Sequence, residues 1–473
     1  MVLTKCDCES RKARCQRILA AIPADGLFKT GRKLGHPCRI SPEPFSLSRE
    51  LVEEIAAQGA LWLKFLKASH RLYLLSLRNE APRFISEYLD LNKPELVRNM
   101  ARMNRFKSAF PLVLRPDLLM TDEGLVASEL DSVPGGFGLL GCLTAAYEDE
   151  GFPCVGSREG IPREFAAAIR HMTGLPHPKT AIVVSEESAM YFPEMRWLAS
   201  AAGKHGLECR AVAPDDLEIR GSEFRVKADE SGKQLDAIYR FFELFDLKNV
   251  PHSLEILNAA KLKKLKLTPP PKANIEEKLL FGLLHHPSLR RLWERELGSD
   301  AFGRLQKLAV PTWILDPRPL PPHALIAGFG INGEPCQSWS DLEAMTQKER
   351  AYVIKPSGFS ELAWGSRGVK FGPDMSQDDW ARAVREALAC FADSPNVLQP
   401  YRKPKLIAAD YFDETAGTIG KFEGRVRLCP YYFTGEDDSV TLGGILATVC
   451  PSDKKAIHGM PEAIMVPCSI QGS

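Results

Sequence analysis

The sequence lacks a surplus of charge of either sign, long apolar runs and internal repeats. Its 61 Lys and Arg stand against 60 Asp and Glu, a formal net charge of +1. That balance argues against a protein that holds nucleic acid through surplus cations. No apolar run approaches the roughly 18 residues that a membrane span needs. Met1 to Cys15 is charged and cysteine-rich with no apolar centre, so no secretory signal is read there. No repeat of solenoid length and no low-complexity tract is present. Gly and Pro, 35 each in 473 residues, are too few for a collagen-like or mostly disordered chain. Walker A and H-E-x-x-H patterns are both missing.

What is there is the composition of a globular protein, 44% hydrophobic and 26% charged. The length suggests about three domains or two large ones. Twelve scattered cysteines read as reduced thiols, which places the chain in the cytoplasm, with no membrane or nucleic-acid partner. Gly328-Phe-Gly-Ile-Asn-Gly333 has dinucleotide-motif spacing, but Glu334-Pro335 follows where a helix should open. Cys6, Cys8 and Cys15 could hold a soft metal, but without a second ligand pair they read as free thiols in a frayed tail. His285-His286 beside Pro287 reads as a packing or capping pair. Lys261 to Lys266 reads as a solvated face.

The first hundred residues are mainly helical by pattern, with Ser48 an N-cap and apolar spacing running to Leu77. Residues 178–247 alternate strands (Thr180–Val184, Glu208–Val212, Leu235–Arg240) with a helix (Met190–His205), which predicts an α/β unit with a parallel sheet. Pro269–Pro271 is a stiff break. A helical stretch from Ile275 to about Leu308 follows. Beyond it come strands at Ala351–Lys355, Gly368–Phe371, Asn396–Gln399, Arg425–Phe433 and Val440–Val449, which predict α+β with antiparallel pairs.

The chemistry concentrates in a predicted hairpin, Phe110–Met120 and Leu125–Asp131, with a polar turn at Thr121–Gly124. A three-residue loop, Asp122–Gly124, places Asp117 opposite Glu129 and Arg115 opposite Asp131, all on one face. Three carboxylates beside one arginine leave unbalanced negative charge, which a hard divalent cation would relieve. The bland alternative is an exposed hairpin with an Arg–Asp ion pair. A two-residue loop would move Asp117 and Glu129 to opposite faces. Val353-Ile-Lys355-Pro-Ser adds a strand-end lysine facing a loop, Gly358 to Arg367, that can cover phosphates.

In that order, the parts resemble the ATP-grasp superfamily, in particular the circularly permuted branch containing the synthetase domain of glutathionylspermidine synthetase. Its Arg-x-Asp, about a dozen residues, then Glu-x-Asn is similar to Arg115-Pro-Asp117 and, twelve positions on, Glu129-Leu-Asp131. Asp131 stands where the family usually has Asn, and Ser132-Val-Pro-Gly replaces the acidic residue that often follows. The resemblance runs over roughly residues 90 to 465. It implies an α+β and α/β fold, with two α+β lobes around a nucleotide cleft. The implied regions are a helical one (1–95), a first core part with the metal-binding hairpin (96–175), an α/β pre-ATP-grasp-like domain (176–270) and nucleotide-binding lobes (271–473).

By this resemblance Asp117, Glu129 and Asp131 ligate Mg²⁺, and Arg115, helped by Arg240 and Arg367, faces the reacting acyl phosphate. ATP is held by Lys278 in Asn274-Ile-Glu-Glu-Lys278, by Lys355, by Gly358 and Gly368 of the covering loop, and by Gln399 and Tyr401 of the hinge strand. Leu442-Gly-Gly-Ile-Leu resembles a late glycine pair near the active site. The implied activity is ATP-dependent joining of a small-molecule carboxylate and an amine. No amidase-like segment accompanies it, so neither glutathione nor spermidine is assigned. A non-catalytic ATP- and Mg²⁺-binding module of the same fold is the alternative, and a scaffold without a nucleotide site the third reading.

Overall fold

The computed structural model describes residues 5–23, 38–221, 223–229, 231–321, 324–363, 365, 367–459 and 462–472. The chain forms a mixed α+β architecture of several sheets. The largest has seven strands, in the order Phe45–Leu47, Ile464–Ile470, Val440–Pro451, Thr418–Thr434, Val113–Thr121 and Gly124–Asp131, with Leu406–Asp413 also paired to Thr418–Thr434. Only the Phe45–Leu47 strand pairs in parallel. The second sheet carries Glu208–Val212, Lys179–Val184, Ala237–Phe241 and Lys266–Thr268, all parallel as predicted, the last strand being additional. The third is antiparallel: Trp313–Ile314, Asn396–Pro400, Tyr352–Pro356 and Lys370–Phe371.

The helix predicted from Ser48 spans Arg49–Leu77, and the Ser48 hydroxyl accepts the Leu51 N–H at 3.2 Å. Its apolar face packs Trp62 and Phe65 on Phe281, with centroids 6.0 Å apart in each pair. This contact seats the helix Leu279–His285, and Lys278 stands at that helix's N-terminus. The stretch Ile275–Leu308 is broken into three α-helices and a 3₁₀ turn, because Pro287 and Gly298 interrupt it. The N-terminal tail expectation is corrected. Lys5–Ala21 is a helix whose Cys15 and Ile18 are fully buried, so apolar packing holds it down. The Cys6 side chain lies outside the described residues, and no disulfide joins the described cysteines. Gly328–Gly333 opens no helix; Gly330–Ile331 pairs with Glu334–Pro335 as a short ribbon. No helix among the described residues is long and apolar enough to cross a membrane.

The hairpin differs from expectation in its loop. Thr121 pairs with Gly124, so the loop is the two residues Asp122 and Glu123. That register alone would divide the carboxylates between two faces. A bulge restores it: Leu118 pairs with Ala127 but Pro116 with Leu130, so Asp117 faces both Ser128 and Glu129. Arg115 then pairs with Asp131, as predicted. The cause is Pro116, which has no N–H to give a ladder and sits here in an inner strand. On its other side the ladder lapses between Leu118–Leu428 and Leu114–Tyr432 without a change of register.

The glycine pair after Leu442 is not in the wall of the main cavity. Gly443 falls in a register shift opposite Tyr431 and Tyr432. Its carbonyl meets the helix Ser157–Thr173, where a Cβ on Gly160 would come within 2.5 Å of it. Glycine to alanine in a helix interior ordinarily gains up to about 1 kcal/mol. Here Gly160→Ala is expected to lose about 1–3 kcal/mol through overpacking. A urea midpoint measures it, and an unchanged or raised midpoint would show that the helix can shift.

Candidate active site

The three sheets meet around one cavity of about 520 Å³, within the range of sites that enclose small molecules or cofactors. The hairpin and the strand Thr418–Thr434 form its floor. Residues from 188–194 and 241–245, after the parallel strands, line the cavity, as do the antiparallel sheet and the segment from Gly358.

Eight of the predicted side chains meet at this cavity: Arg115, Asp117, Glu129, Asp131, Lys278, Lys355, Gln399 and Tyr401. Gly358 and Arg367 also line it. Glu129 lies 3.3 Å from Lys278 Nζ, which also donates to the Ala363 carbonyl at 3.2 Å. Lys355 reaches toward the Ser128 carbonyl, 3.5 Å away. Gln399 Nε2 donates to Ser128 O at 3.2 Å and Thr312 Oγ1 at 3.0 Å. The Tyr401 N–H is engaged by Ala351 O at 2.8 Å. The residue therefore offers the cavity its ring, set edge-on to Phe371 with centroids 6.1 Å apart.

Two predicted residues lie elsewhere. Arg240 is fully buried behind the wall. Its guanidinium donates to the Phe242 carbonyl at 2.6 Å, to Pro269 O at 3.2 Å and to the Glu276 carboxylate. It holds Glu276, which lines the cavity, and is itself outside the lining. Gly368 is outside the lining; a Cβ there would lie 2.4 Å from Pro356 Cγ, so it permits the covering segment to return against its strand. Arg367 is 46% exposed and bridges to Glu187 at 2.6 Å. Trp364 and Ser366 of the predicted loop lie outside the described residues.

Charge balance corrects the reasoning that led to a metal. Arg427, not foreseen from the sequence, lines the cavity and places Nη1 2.6 Å from Asp117 Oδ2. Arg115 Nε is 2.9 Å from Asp117 Oδ1, and its Nη2 is 3.1 Å from Asp131 Oδ2. Four cations, Arg115, Lys278, Lys355 and Arg427, thus stand with the three hairpin carboxylates, so the charge of the hairpin does not by itself require an ion. Both Asp117 oxygens are taken, and its side chain is 3% exposed. Glu129 and Asp131 are different: their side chains are 29% and 32% exposed in the cleft. Among the described residues no group of three or more His, Cys, Asp or Glu is arranged to hold a metal ion. A pair of carboxylates still fits Mg²⁺, which commonly takes one or two and completes its shell with phosphate and water.

Ionisation follows this arrangement. Burial opposes the charge of Glu129, yet Lys278, Lys355, Arg115 and Arg427 outweigh it and hold the carboxyl well below its ordinary range. Lys355 is pushed down by burial and by Lys278, against the pull of Glu129. Lys278, despite burial, is held up by Glu129. Glu243 is pushed up to about 8 by burial and by the charge of Glu276. Burial raises Glu194 to about 7, although the Gly136 and Leu139 N–H groups donate to it at 2.7 and 3.0 Å.

Arg427, Glu243 and Glu194 were all missed. For Arg427 a signal existed: Arg425, Arg427, Cys429 and Tyr431 alternate in a predicted strand, and an arginine inside a sheet needs a partner.

No family model matches the sequence, and no curated protein matches it. The structure is similar to that of a glutathione synthetase-like effector from Globodera pallida in apo form. The TM-score is 0.58 at 12% identity, over 98% of this chain and 98% of that one. At this identity the likeness is one of fold. A proposed γ-glutamylcysteine synthetase from Methylobacillus flagellatus aligns over 80% of this chain and 85% of that one, at 13% identity and a TM-score of 0.42, too loose to carry an argument.

Proposed function

We propose that the protein is an ATP-dependent carboxylate–amine ligase of circularly permuted ATP-grasp type. One observation carries this reading: Lys278 and Lys355, 77 positions apart in the chain, converge with Glu129 and Asp131 on one cavity of about 520 Å³. In this reading residues 96–175 and 271–473 supply the nucleotide-gripping core, and 176–270 the pre-ATP-grasp-like domain.

Lys278 and Lys355 hold the phosphates by charge, and the backbone from Gly358 covers them. Phe371 and Tyr401, packed edge-on to each other, offer an apolar surface to one side of the adenine. Glu129 and Asp131 are the residues that would hold Mg²⁺, which would supply positive charge to neutralise the phosphates. Asp117 clamps Arg115 and Arg427 so that their guanidiniums face the reacting group. A substrate carboxylate attacks the γ-phosphorus, the bond to the β-phosphate oxygen breaks, and ADP leaves. An amine then attacks the acyl carbon, phosphate departs with the C–O electron pair, and the proton lost by the amine nitrogen leaves with the phosphate. Arg115 and Arg427 stabilise the tetrahedral oxyanion between these events. The covering segment keeps water from the acyl phosphate.

The test is ADP release from Mg·ATP with pooled amino acids, small acids and polyamines, alongside thermal stabilisation by Mg·ATP. Release that needs both an acid and an amine is the expected result. Stabilisation without ADP release from any pair would identify a nucleotide-binding module instead. No stabilisation by Mg·ATP would overturn the nucleotide site altogether.

A further inference from the structure

Between Glu276 and Lys278, Glu277 turns its carboxylate back into the protein, where its side chain is 1% exposed. One oxygen accepts from Lys93 Nζ at 2.5 Å, and the Lys93 side chain is itself 2% exposed. The other accepts from the Ser357 hydroxyl and, at 2.8 Å, from the Gly358 N–H. The Ser357 oxygen in turn accepts the Leu279 N–H at 3.2 Å. The turn bearing Lys278 is thereby tied to the end of the strand bearing Lys355. The approach is close enough that a Cβ on Gly358 would lie 1.7 Å from the Glu276 carbonyl oxygen. On its outer side Lys278 donates to Ala363 O, so the covering segment is held at both Gly358 and Ala363.

Stability does not account for such a pair. A buried ion pair is commonly no more stable than apolar residues of the same volume, because desolvation offsets the attraction. What it provides is a fixed distance between elements. We infer that Glu277 is a positioning residue for the phosphates of a nucleoside triphosphate. It sets the spacing of Lys278, Lys355 and the start of the covering segment, and Lys93 holds its carboxylate in register. The inference rests on the proposed nucleotide site and goes beyond it by separating phosphate grip from general binding. The Glu277 carboxylate bonds to Lys93, Ser357 and Gly358 and not to Phe371, Tyr401 or the hairpin carboxylates, so its loss acts on the phosphate grip.

The test is calorimetric titration of the full chain with Mg·ATP and with AMP, together with thermal unfolding. Three forms are compared: wild type, Glu277→Leu, and the double variant Lys93→Met/Glu277→Leu. The single variant leaves Lys93 buried without a partner and unfolds at lower temperature; the double variant, with neither charge, regains most of that loss. In both, ATP affinity falls at least about tenfold while AMP affinity stays within about twofold. If the single variant does not fold, the double variant carries the comparison. A double variant that recovers stability and binds ATP like wild type would overturn the inference alone. Equal losses for ATP and AMP would also overturn it, since they indicate general distortion. A wild-type protein that binds no ATP would overturn the proposed nucleotide site and this inference with it.

Discussion

Lys355→Ala is expected to lower ATP affinity by roughly 100-fold, the weight of a lost charge-assisted phosphate contact in a desolvated cleft. Its effect on the empty protein should be small. Lys355 stands at the end of the strand Tyr352–Pro356 and lines the cavity. Burial and the neighbouring Lys278 both work against its charge there. Glu129, which favours that charge, keeps Lys278 at 3.3 Å when Lys355 is gone. The unfolding temperature should therefore move by no more than about 1 °C, which corresponds to about 1 kcal/mol for a chain of this size. Titration with Mg·ATP and a thermal scan measure the two quantities. Undiminished ATP affinity would refute the assignment. A large fall in unfolding temperature would make Lys355 a structural partner of Glu129 instead.

Asp117→Asn separates two accounts of the hairpin. The arginine clamp predicts a loss of about 3–5 kcal/mol in the absence of any nucleotide or metal, because Arg427 loses its paired carboxylate and Arg115 keeps only Asp131. Arg427 at 2.6 Å and Arg115 at 2.9 Å would face each other across a neutral amide. Urea denaturation of the metal-free protein reads this directly. Glu129→Gln, more exposed and paired at 3.3 Å with Lys278, should cost less than Asp117→Asn and act chiefly on the Mg²⁺ dependence of ATP binding. If Asp117 were a metal ligand and nothing more, its Asn variant would keep full stability without ligand and lose Mg²⁺ dependence. Similar, small stability losses in both variants would count against the clamp.

Much of the site was legible from local pattern. Ser48 as N-cap, the parallel strands around Thr180 and Ala237, and the strand ending in Lys355 all follow from side-chain period and capping chemistry. The hairpin shows how a correct pairing can arise from a different cause. Arg115 does face Asp131, but through a two-residue loop and a bulge. Pro116 was the available signal, since proline inside a strand marks a break in the ladder. Arg240 misled because a basic residue at a strand end looks the same whether it meets a substrate or a backbone. Its partners, Phe242 O, Pro269 O and Glu276, come from the next loop and from beyond the following strand.

Sequence alone determined the element types, the near-neutral surface and which residues carry charge worth explaining, because these depend on neighbours a few positions away. Only the folded chain decided what that charge does. Arg427 reaches Asp117 across 310 positions and Lys93 reaches Glu277 across 184. Ion pairing in a dry interior depends on distance and exposure, and neither exists until remote segments have packed together.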